Sequence, residues 1–359
     1  MTQNSRPLSR RSLIKKTALA TAALSAAPRL FALPTAKRMG LTIASYGYRR
    51  RAKQSYGDLH PFRSAIDTLE HTARLGAGGV QVGIRGWQSE FAKKVRAKRE
   101  SLNLYLEGQI RLPKNKADLD RFETEIKAGR EAGASIIRTV ALGGRRYETF
   151  KTEREFLDFK LDALDRIRLA EPVVRKHKIQ LALENHKDWR APELVEILSR
   201  LSSEWVGVCL DTGNSISLLE DPMEVVRTLA PYTMSVHFKD MAWQEYEEGF
   251  LLSEVPFGEG ILDLQKIAHI CNAANPSVQF NLEMITRDPL RVPCLTDSYW
   301  KTSPHLPGSY LAQTLARVKA HPPRKPLPRV SGLNQEACVR YEEANIVDCI
   351  IYAKQHLDL

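Results

Sequence analysis

The 359-residue sequence predicts a (β/α)8 TIM barrel, an α/β fold, on three observations. From about residue 39, eight short β-branched runs alternate with longer segments of helical period, the pattern of βα units around a parallel sheet. About 320 residues are then available, which suits the usual ~250 of such barrels plus insertions. The first run leads into Tyr46-Gly47-Tyr48-Arg49-Arg50-Arg51 without a Gly-rich phosphate turn, so a doubly wound open sheet is disfavoured.

In chain order the predicted strands are 41–45, 79–84, 104–109, 135–142, 179–184, 206–211, 233–238 and 278–283. Apolar residues three and four apart mark core-facing helices between them. Examples are Phe62, Ile66, Leu69 and Ala73, then Leu119, Phe122 and Ile126, and the series Phe156, Phe159, Ala163, Ile167 and Val174. Beyond the eighth strand, 291–328 is rich in Pro, Trp and Tyr, and 334–359 reads as a closing amphipathic helix. One barrel with this extension spans 39–359, and no second domain is indicated.

With 43% hydrophobic and 26% charged residues, the chain has the composition of a globular protein. No run reaches the ~18–20 apolar residues of a membrane-spanning helix, so a multi-pass membrane protein is excluded. The formal charge of +11 at first suggests a polyanionic partner. Much of it lies in residues 1–32, which hold Arg6, Arg10, Arg11, Lys15, Lys16 and Arg29 and no acid. Without them 47 basic residues face 42 acidic ones, an ordinary balance.

That N-terminus has signal-peptide anatomy: Ser9-Arg10-Arg11-Ser12-Leu13-Ile14-Lys15 precedes the small and apolar stretch 17–27. The paired arginines resemble the bacterial twin-arginine export signal, an address read by a receptor and not an anchor. Residues 1–32 are therefore set apart from the fold, and a periplasmic or exported location is expected. The five cysteines, Cys209, Cys271, Cys294, Cys338 and Cys349, are odd in number and lack Cys-x-x-Cys spacing. Neither a disulfide framework nor a zinc ribbon is indicated.

In such barrels the chemistry sits at the C-terminal mouth. The fifth strand ends in Leu183-Glu184-Asn185-His186 and the sixth in Leu210-Asp211-Thr212-Gly213-Asn214. The seventh ends in Val236-His237-Phe238-Lys239-Asp240 and the eighth in Leu282-Glu283. Side chains two apart share a face, so Glu184 points with His186 and His237 with Lys239. Turned to the barrel axis, Glu184, Asp211, His237 and Glu283 would converge from strands about 4.8 Å apart. Clustered carboxylates repel, and a divalent cation is the simplest partner that neutralises them. Three oxygens and one nitrogen suit Mn2+ first, with Mg2+, Co2+ or Zn2+ as alternatives. Any one of these residues alone is as readily an ion-pair partner of Lys187, Lys239 or Arg287; four successive strands ending this way point to a metal centre.

These segments, with the turn Gly258-Glu259-Gly260, resemble the xylose-isomerase-like barrel superfamily over roughly residues 39–290. That group includes sugar and sugar-phosphate isomerases and epimerases and the AP endonuclease family 2 enzymes. In its ketose 3-epimerase branch a matching Glu, Asp, His and Glu hold one divalent metal, and the two glutamates transfer protons. The resemblance places those roles on Glu184, Asp211, His237 and Glu283, with Glu184 and Glu283 catalytic. Two departures count against the endonuclease branch. Asn214 stands where many members have His, and Gly83-Ile84-Arg85 and Glu107-Gly108-Gln109 lack the histidines of a multi-zinc centre.

The expected activity is that of a metal-dependent sugar isomerase or epimerase, abstracting a proton beside a carbonyl and passing through an enediolate. A lyase or hydratase acting on 3-keto-glycosides and a non-catalytic periplasmic sugar-binding barrel are the alternatives. His186, Lys239, Glu107, Arg287 and Asn214, together with Arg138, are candidate substrate contacts. Trp189, Trp243 and Trp300 are candidates for stacking on sugar rings or for packing. The run Arg49-Arg50-Arg51-Ala52-Lys53 reads as a solvated face or a greeting for an anionic substrate. The expected partners are a small carbohydrate and the twin-arginine export machinery, without nucleic acid or membrane anchor. Self-association into a homo-oligomer is allowed by everything in the sequence.

Overall fold

Valine, isoleucine and leucine fill the strand interiors and amphipathic segments separate them, so each strand is buried on both faces and each helix on one. The structure, a computed structural model, describes residues 39–359. The expected signal segment, 1–32, lies outside the described residues. β1 (Met39–Thr42) is followed by α1 (Gly47–Arg51), α2 (Ala65–Leu75), β2 (Gly79–Gly83), α3 (Ser89–Ser101), β3 (Tyr105–Gln109), α4 (Leu119–Glu131) and β4 (Ile136–Thr139). Then come α5 (Arg146–Thr149), α6 (Glu153–Lys176), β5 (Gln180–Glu184), α7 (Ala191–Leu201), β6 (Val206–Asp211), α8 (Pro222–Leu229) and β7 (Thr233–Phe238). The chain continues through β8 (Asp240–Tyr246), β9 (Gly249–Val255), α9 (Leu264–Ala274), β10 (Gln279–Leu282) and β11 (Leu290–Val292). It closes with α10 (Asp297–Trp300), α11 (Gly308–Ala320) and α12 (Gln335–His356). Among the described residues no helix is long and apolar enough to cross a membrane.

Eight of the strands close into a barrel in the order β1-β10-β7-β6-β5-β4-β3-β2, with every neighbouring pair parallel. This is the predicted (β/α)8 fold. Most strand bounds agree with expectation to within a residue, but the first and fourth end three residues early. The first stops at Thr42, whose hydroxyl accepts from Ala44 N at 3.4 Å and starts a 3-10 turn over Ile43–Tyr46. The fourth stops at Thr139, because the N–H of Leu142 turns to Asp188 Oδ2 at 3.2 Å.

The helices form where the apolar period placed them. Ser64 and Asp67 form a capping box at the start of α2, and Leu69, Phe122, Ile126, Ala163, Ile167 and Val174 are buried against the barrel. Phe62 precedes α2 and packs edge-on against Tyr46, ring centroids 4.9 Å apart. The closing helix α12 is anchored by charge. Glu342 accepts from the N–H groups of Tyr48 and Arg49 at 2.7 and 2.9 Å, and Glu343 pairs with Arg49 Nη1 at 2.7 Å and His71 Nε2 at 3.0 Å. Arg49, the first residue of the basic run, is therefore buried in this lock, while Arg50 and Arg51 remain exposed. All five cysteines are buried and free.

One element was not expected. β8 and β9 form an antiparallel hairpin, joined on its outer edge by β11. Only Lys239 separates β7 from β8, so in sequence the hairpin reads as the tail of a barrel strand. Two runs of equal length around Glu247-Glu248-Gly249 are its signal. A second apolar cluster beneath it includes Trp243, Phe250, Leu252, Val292 and Tyr299. Trp243 donates to His321 O at 3.0 Å and Trp300 to Cys294 O at 2.9 Å, so both tie the C-terminal extension down. Trp189 is likewise structural, stacked on Phe159 with centroids 5.4 Å apart.

The turn Gly258-Glu259-Gly260 has a direct physical partner in Asp240. Its Oδ2 accepts from Gly258 N and Gly260 N at 3.0 and 2.9 Å, and its Oδ1 from Met241 N and Leu262 N at 2.9 and 3.2 Å. A Cβ on residue 260 would lie 2.1 Å from Asp240 Oδ1, so only glycine lets the backbone come this close. Asp240→Ala strands four backbone donors in a buried setting and is expected to lower stability by about 3 kcal/mol, with Asp240→Asn losing less. Urea unfolding of the three proteins checks this; equal midpoints for wild type and Asp240→Ala would remove Asp240 from the fold's supports.

Candidate metal centre

The barrel register brings four strand ends to one height. Asp211 on β6 pairs with His237 on β7, and Asn281 on β10 pairs with His237 from the other side. Glu283 continues that pairing one residue past β10, its N–H donating to Phe238 O at 2.9 Å. Glu184 is the last residue of β5. One ligand atom from each of Glu184, Asp211, His237 and Glu283 lies within 4.8 Å of the others. None of the four side chains is more than 7% exposed.

His237 sits among the three carboxylates. Its Nδ1 is 3.3 Å from Glu184 Oε2, 3.5 Å from Glu283 Oε1 and 3.9 Å from Asp211 Oδ2. Its Nε2 is 2.7 Å from Gln81 Oε1, which also accepts from Gln109 Nε2 at 2.7 Å, while Gln81 Nε2 donates to Glu107 at 2.9 Å. That network assigns Gln81 Oε1 as the acceptor, so Nε2 carries a proton and Nδ1 is the nitrogen that faces the carboxylates. Burial opposes charge on this ring, yet Cys209, Glu283 and Glu184 together raise its pKa well above the usual histidine range. The field that would draw a proton to Nδ1 is the field that attracts a metal cation.

Each carboxylate is held in a different way. Burial alone would raise the Glu184 carboxyl, but Arg138 and His237 outweigh it and hold it below the usual range. Arg138 donates to Glu184 Oε2, and Asn214 Nδ2 donates to Oε1 at 3.0 Å. Glu283 is likewise depressed against burial, chiefly by Lys239 and His237. For Asp211 burial wins over Lys239 and the carboxyl is raised. Its Oδ1 accepts from Gly213 N and Asn214 N at 2.9 and 2.7 Å, which aims Oδ2 at the cluster.

Asp211 Oδ2 and His237 Nδ1 are buried polar atoms without a hydrogen bond of normal geometry. They are the orphaned atoms expected of a site that takes a cation. Ligands about 2.1 Å from one ion stand no more than about 4.2 Å apart, so a small inward shift would close this set around a divalent metal. The cluster can hold such an ion. Lys239 Nζ also pairs with this set, 2.8 Å from Asp211 Oδ2 and 2.5 Å from Glu283 Oε2.

The remaining candidates are spread around this centre. Asn214 and Arg138 touch Glu184, as described. Glu107 lies in the barrel interior, its Oε2 also accepting from Ser235 Oγ at 2.7 Å and Asn281 Nδ2 at 3.0 Å, and it faces this polar layer instead of the mouth. Arg287 forms a two-point pair with Glu254 on β9, at 2.6 and 3.2 Å. His186 lies 3.1 Å from Leu142 O through Nδ1, and burial lowers its pKa to about 4, leaving a neutral imidazole with Nε2 as acceptor. The side chains of Arg138, His186 and Arg287 are the partly exposed ones and mark the way in.

Sequence reasoning missed Gln81, Ser235 and Asn281, the layer beneath His237. Their signal was available: each is a polar residue inside an apolar strand run, on the inward-facing alternation. Glu254 belonged to the unexpected hairpin. Lys187 had entered only as an ion-pair alternative, and among the described residues it makes no such pair.

Residues 69–304 match the family described as Xylose isomerase-like TIM barrel. Among characterised relatives, 3-oxo-isoapionate decarboxylase of Pectobacterium atrosepticum is 28% identical over 231 residues, covering 63% of this chain and 78% of that one. Among solved structures, a xylose isomerase-like barrel protein from Mycobacterium smegmatis in complex with magnesium superposes with a TM-score of 0.54 at 15% identity. That match covers 78% of this chain and 98% of the other. A 3-keto-D-glucoside 4-epimerase from E. coli gives a TM-score of 0.53 at 12% identity, over 79% of this chain and all of its own. At such identities the solved structures share the fold. With well over half of its length matched, the chain belongs to the xylose isomerase-like TIM barrel family.

Proposed function

We propose that this protein is a divalent-metal-dependent sugar isomerase or epimerase that moves a proton on a carbon beside a carbonyl. The carrying observation is the placement of Glu184 and Glu283. They come from strands separated by β6 and β7, and each lies within 3.5 Å of the same imidazole nitrogen. Arg138 and Lys239 keep them ionised despite burial, so either can accept a proton. Glu184, Asp211, His237 and Glu283 would hold the ion, Mn2+ by preference, which when bound supplies a Lewis acid for a carbonyl and its neighbouring hydroxyl. Proton loss leaves an enediolate, and Lys239 is the ammonium in place to balance its charge. The second glutamate then delivers a proton to the opposite face or to the neighbouring carbon.

A second reading, elimination or decarboxylation of a keto-sugar, is supported by the decarboxylase relative. In a decarboxylation the breaking C–C bond leaves its electrons on the substrate carbon as an enolate, CO2 departs, and a protein acid protonates that carbon. The same residues serve both readings. The twin-arginine resemblance adds the proposal that the protein works in the periplasm, on free or oxidised sugars.

Three experiments follow. Asp211→Asn keeps the backbone contacts of Oδ1 but removes the charge; Mn2+ affinity by calorimetry is expected to fall by roughly 100-fold or more, since even outer-shell losses reach 10–100-fold. Unchanged affinity with an intact thermal melt sinks the metal centre. In D2O, Mn2+-loaded protein incubated with ketoses and 3-keto-glycosides should place deuterium on a sugar carbon, and Glu184→Gln and Glu283→Gln should each slow this by about 10²–10⁴-fold. Binding without exchange favours a sugar receptor, and CO2 or an unsaturated product favours the lyase. For localisation, immunoblots of cell fractions should find the wild type in the periplasm and an Arg10→Lys, Arg11→Lys variant retained inside; equal retention of both refutes export by this route.

A further inference from the structure

Lys187 stands apart from every other cation at the mouth. It occupies the β5–α7 loop at a φ of 62°, in the left-handed region that a non-glycine residue adopts at a cost. The loop holds it there: Asp188 accepts from the N–H groups of His186 and Trp189 at 3.0 and 2.8 Å, and Arg146 N donates to Lys187 O at 2.9 Å. The side chain is only 6% exposed. Its ammonium donates to Asn214 Oδ1, and no carboxylate comes within 4.0 Å of it among the described residues. Asn214 in turn donates to Glu184, so Lys187 lies two hydrogen bonds from the reactive cluster. One of its three donors meets a neutral amide oxygen and none meets an anion among the described residues, and a buried ammonium in that condition is costly.

The charge around it points to what is missing. Glu184, Asp211, Glu283 and Glu254 are opposed by Arg138, Lys239, Arg287 and Lys187, with Arg138, Lys239 and Arg287 each paired to at least one of these carboxylates. A divalent ion held by the cluster would tip these eight groups from balance to a net positive charge. Burial and the neighbouring Lys239 and Arg287 lower the Lys187 pKa to about 8, as befits a cation lacking its counter-charge.

We infer that Lys187 is a specificity residue that grips a carboxylate of the substrate, so that the substrates are sugar acids in preference to neutral sugars. This rests on the reading that the Glu184–Glu283 cluster is the reactive site. One ammonium backed by an amide oxygen suits a monoanionic carboxylate; a phosphate dianion calls for a wider array of donors.

The full chain, loaded with Mn2+, is titrated by calorimetry with D-erythronate, D-ribonate and D-gluconate, and with the alcohols of the same length, erythritol, ribitol and sorbitol. At least one acid is expected to bind about tenfold tighter than its matched alcohol, the scale of one charge-assisted hydrogen bond. Lys187→Met should bring that ratio close to one while leaving the alcohol's affinity unchanged, an effect that mere structural damage would not produce. Lys187→Gln serves if the methionine variant does not fold. Equal binding of acid and alcohol by wild type overturns the inference, as does a preference that survives both substitutions, or tighter binding of ribose 5-phosphate than of any acid. The two readings separate cleanly: acid preference without deuterium exchange removes the reaction but not the carboxylate grip, and exchange on neutral ketoses without acid preference does the reverse.

Discussion

The mouth of this barrel is governed by the cost of burying charge. Four carboxylates, Glu184, Asp211, Glu283 and Glu254, are nearly inaccessible, and each ion taken out of water costs several kcal/mol unless it is paired. The surrounding chain is arranged to supply the partners. Arg138 reaches Glu184 from β4, Lys239 spans Asp211 and Glu283, and the added β8–β9 hairpin introduces Glu254 together with a role for Arg287. Lys239 is the keystone, because two of the four depend on it. Its position between two carboxylates is also the position from which a metal would compete with it.

Beneath that layer the barrel interior is polar where an all-apolar filling would have been adequate for stability alone. Gln81, Glu107, Ser235 and Asn281 form a connected set whose upper end is His237 Nε2. Fixing that nitrogen fixes the ring, and hence the direction in which Nδ1 points. Glu107 is the acceptor on which the set converges, and its pKa is raised by burial even though Gln81, Ser235 and Asn281 all pull the other way. The layer therefore carries an energetic cost that the orientation of one imidazole accounts for.

The fold was largely legible from sequence because its signals are local. Short β-branched runs and helical periods survive in a linear reading, and strand-end polars are visible once the runs are counted. The cluster of Glu184, Asp211, His237 and Glu283 was legible for the same reason, each residue closing its own strand. What escaped depends on where side chains go after the strand ends. Nothing in Glu107's sequence neighbourhood distinguishes an interior acceptor from a mouth residue, because both lie on the inward alternation and only depth separates them. Lys187 was opaque for another reason: its burial follows from a left-handed backbone and an Asp188 loop lock that composition does not report. The hairpin was hidden by the single residue that divides β7 from β8.

The segment His237-Phe238-Lys239-Asp240 shows how strand alternation joins these parts. His237 and Lys239 turn inward to the charged cluster, while Phe238 packs outward against Phe257 and Phe280, ring centroids 5.1 and 5.3 Å away. Asp240, outward again, takes four backbone donors of the following turn. Thr212 then fixes the backbone between them, accepting from Lys239 N at 3.1 Å and donating to Lys239 O at 2.9 Å. Lys239 is thus held on both sides and at its own peptide, and only its side chain is free to respond to a bound cation. An ammonium displaced from Asp211 and Glu283 by such an ion would swing about a fixed Cα on a flexible stem and so would stay near both carboxylates. The pinned backbone leaves one residue to pair with two carboxylates of the cluster through a side chain that can still move.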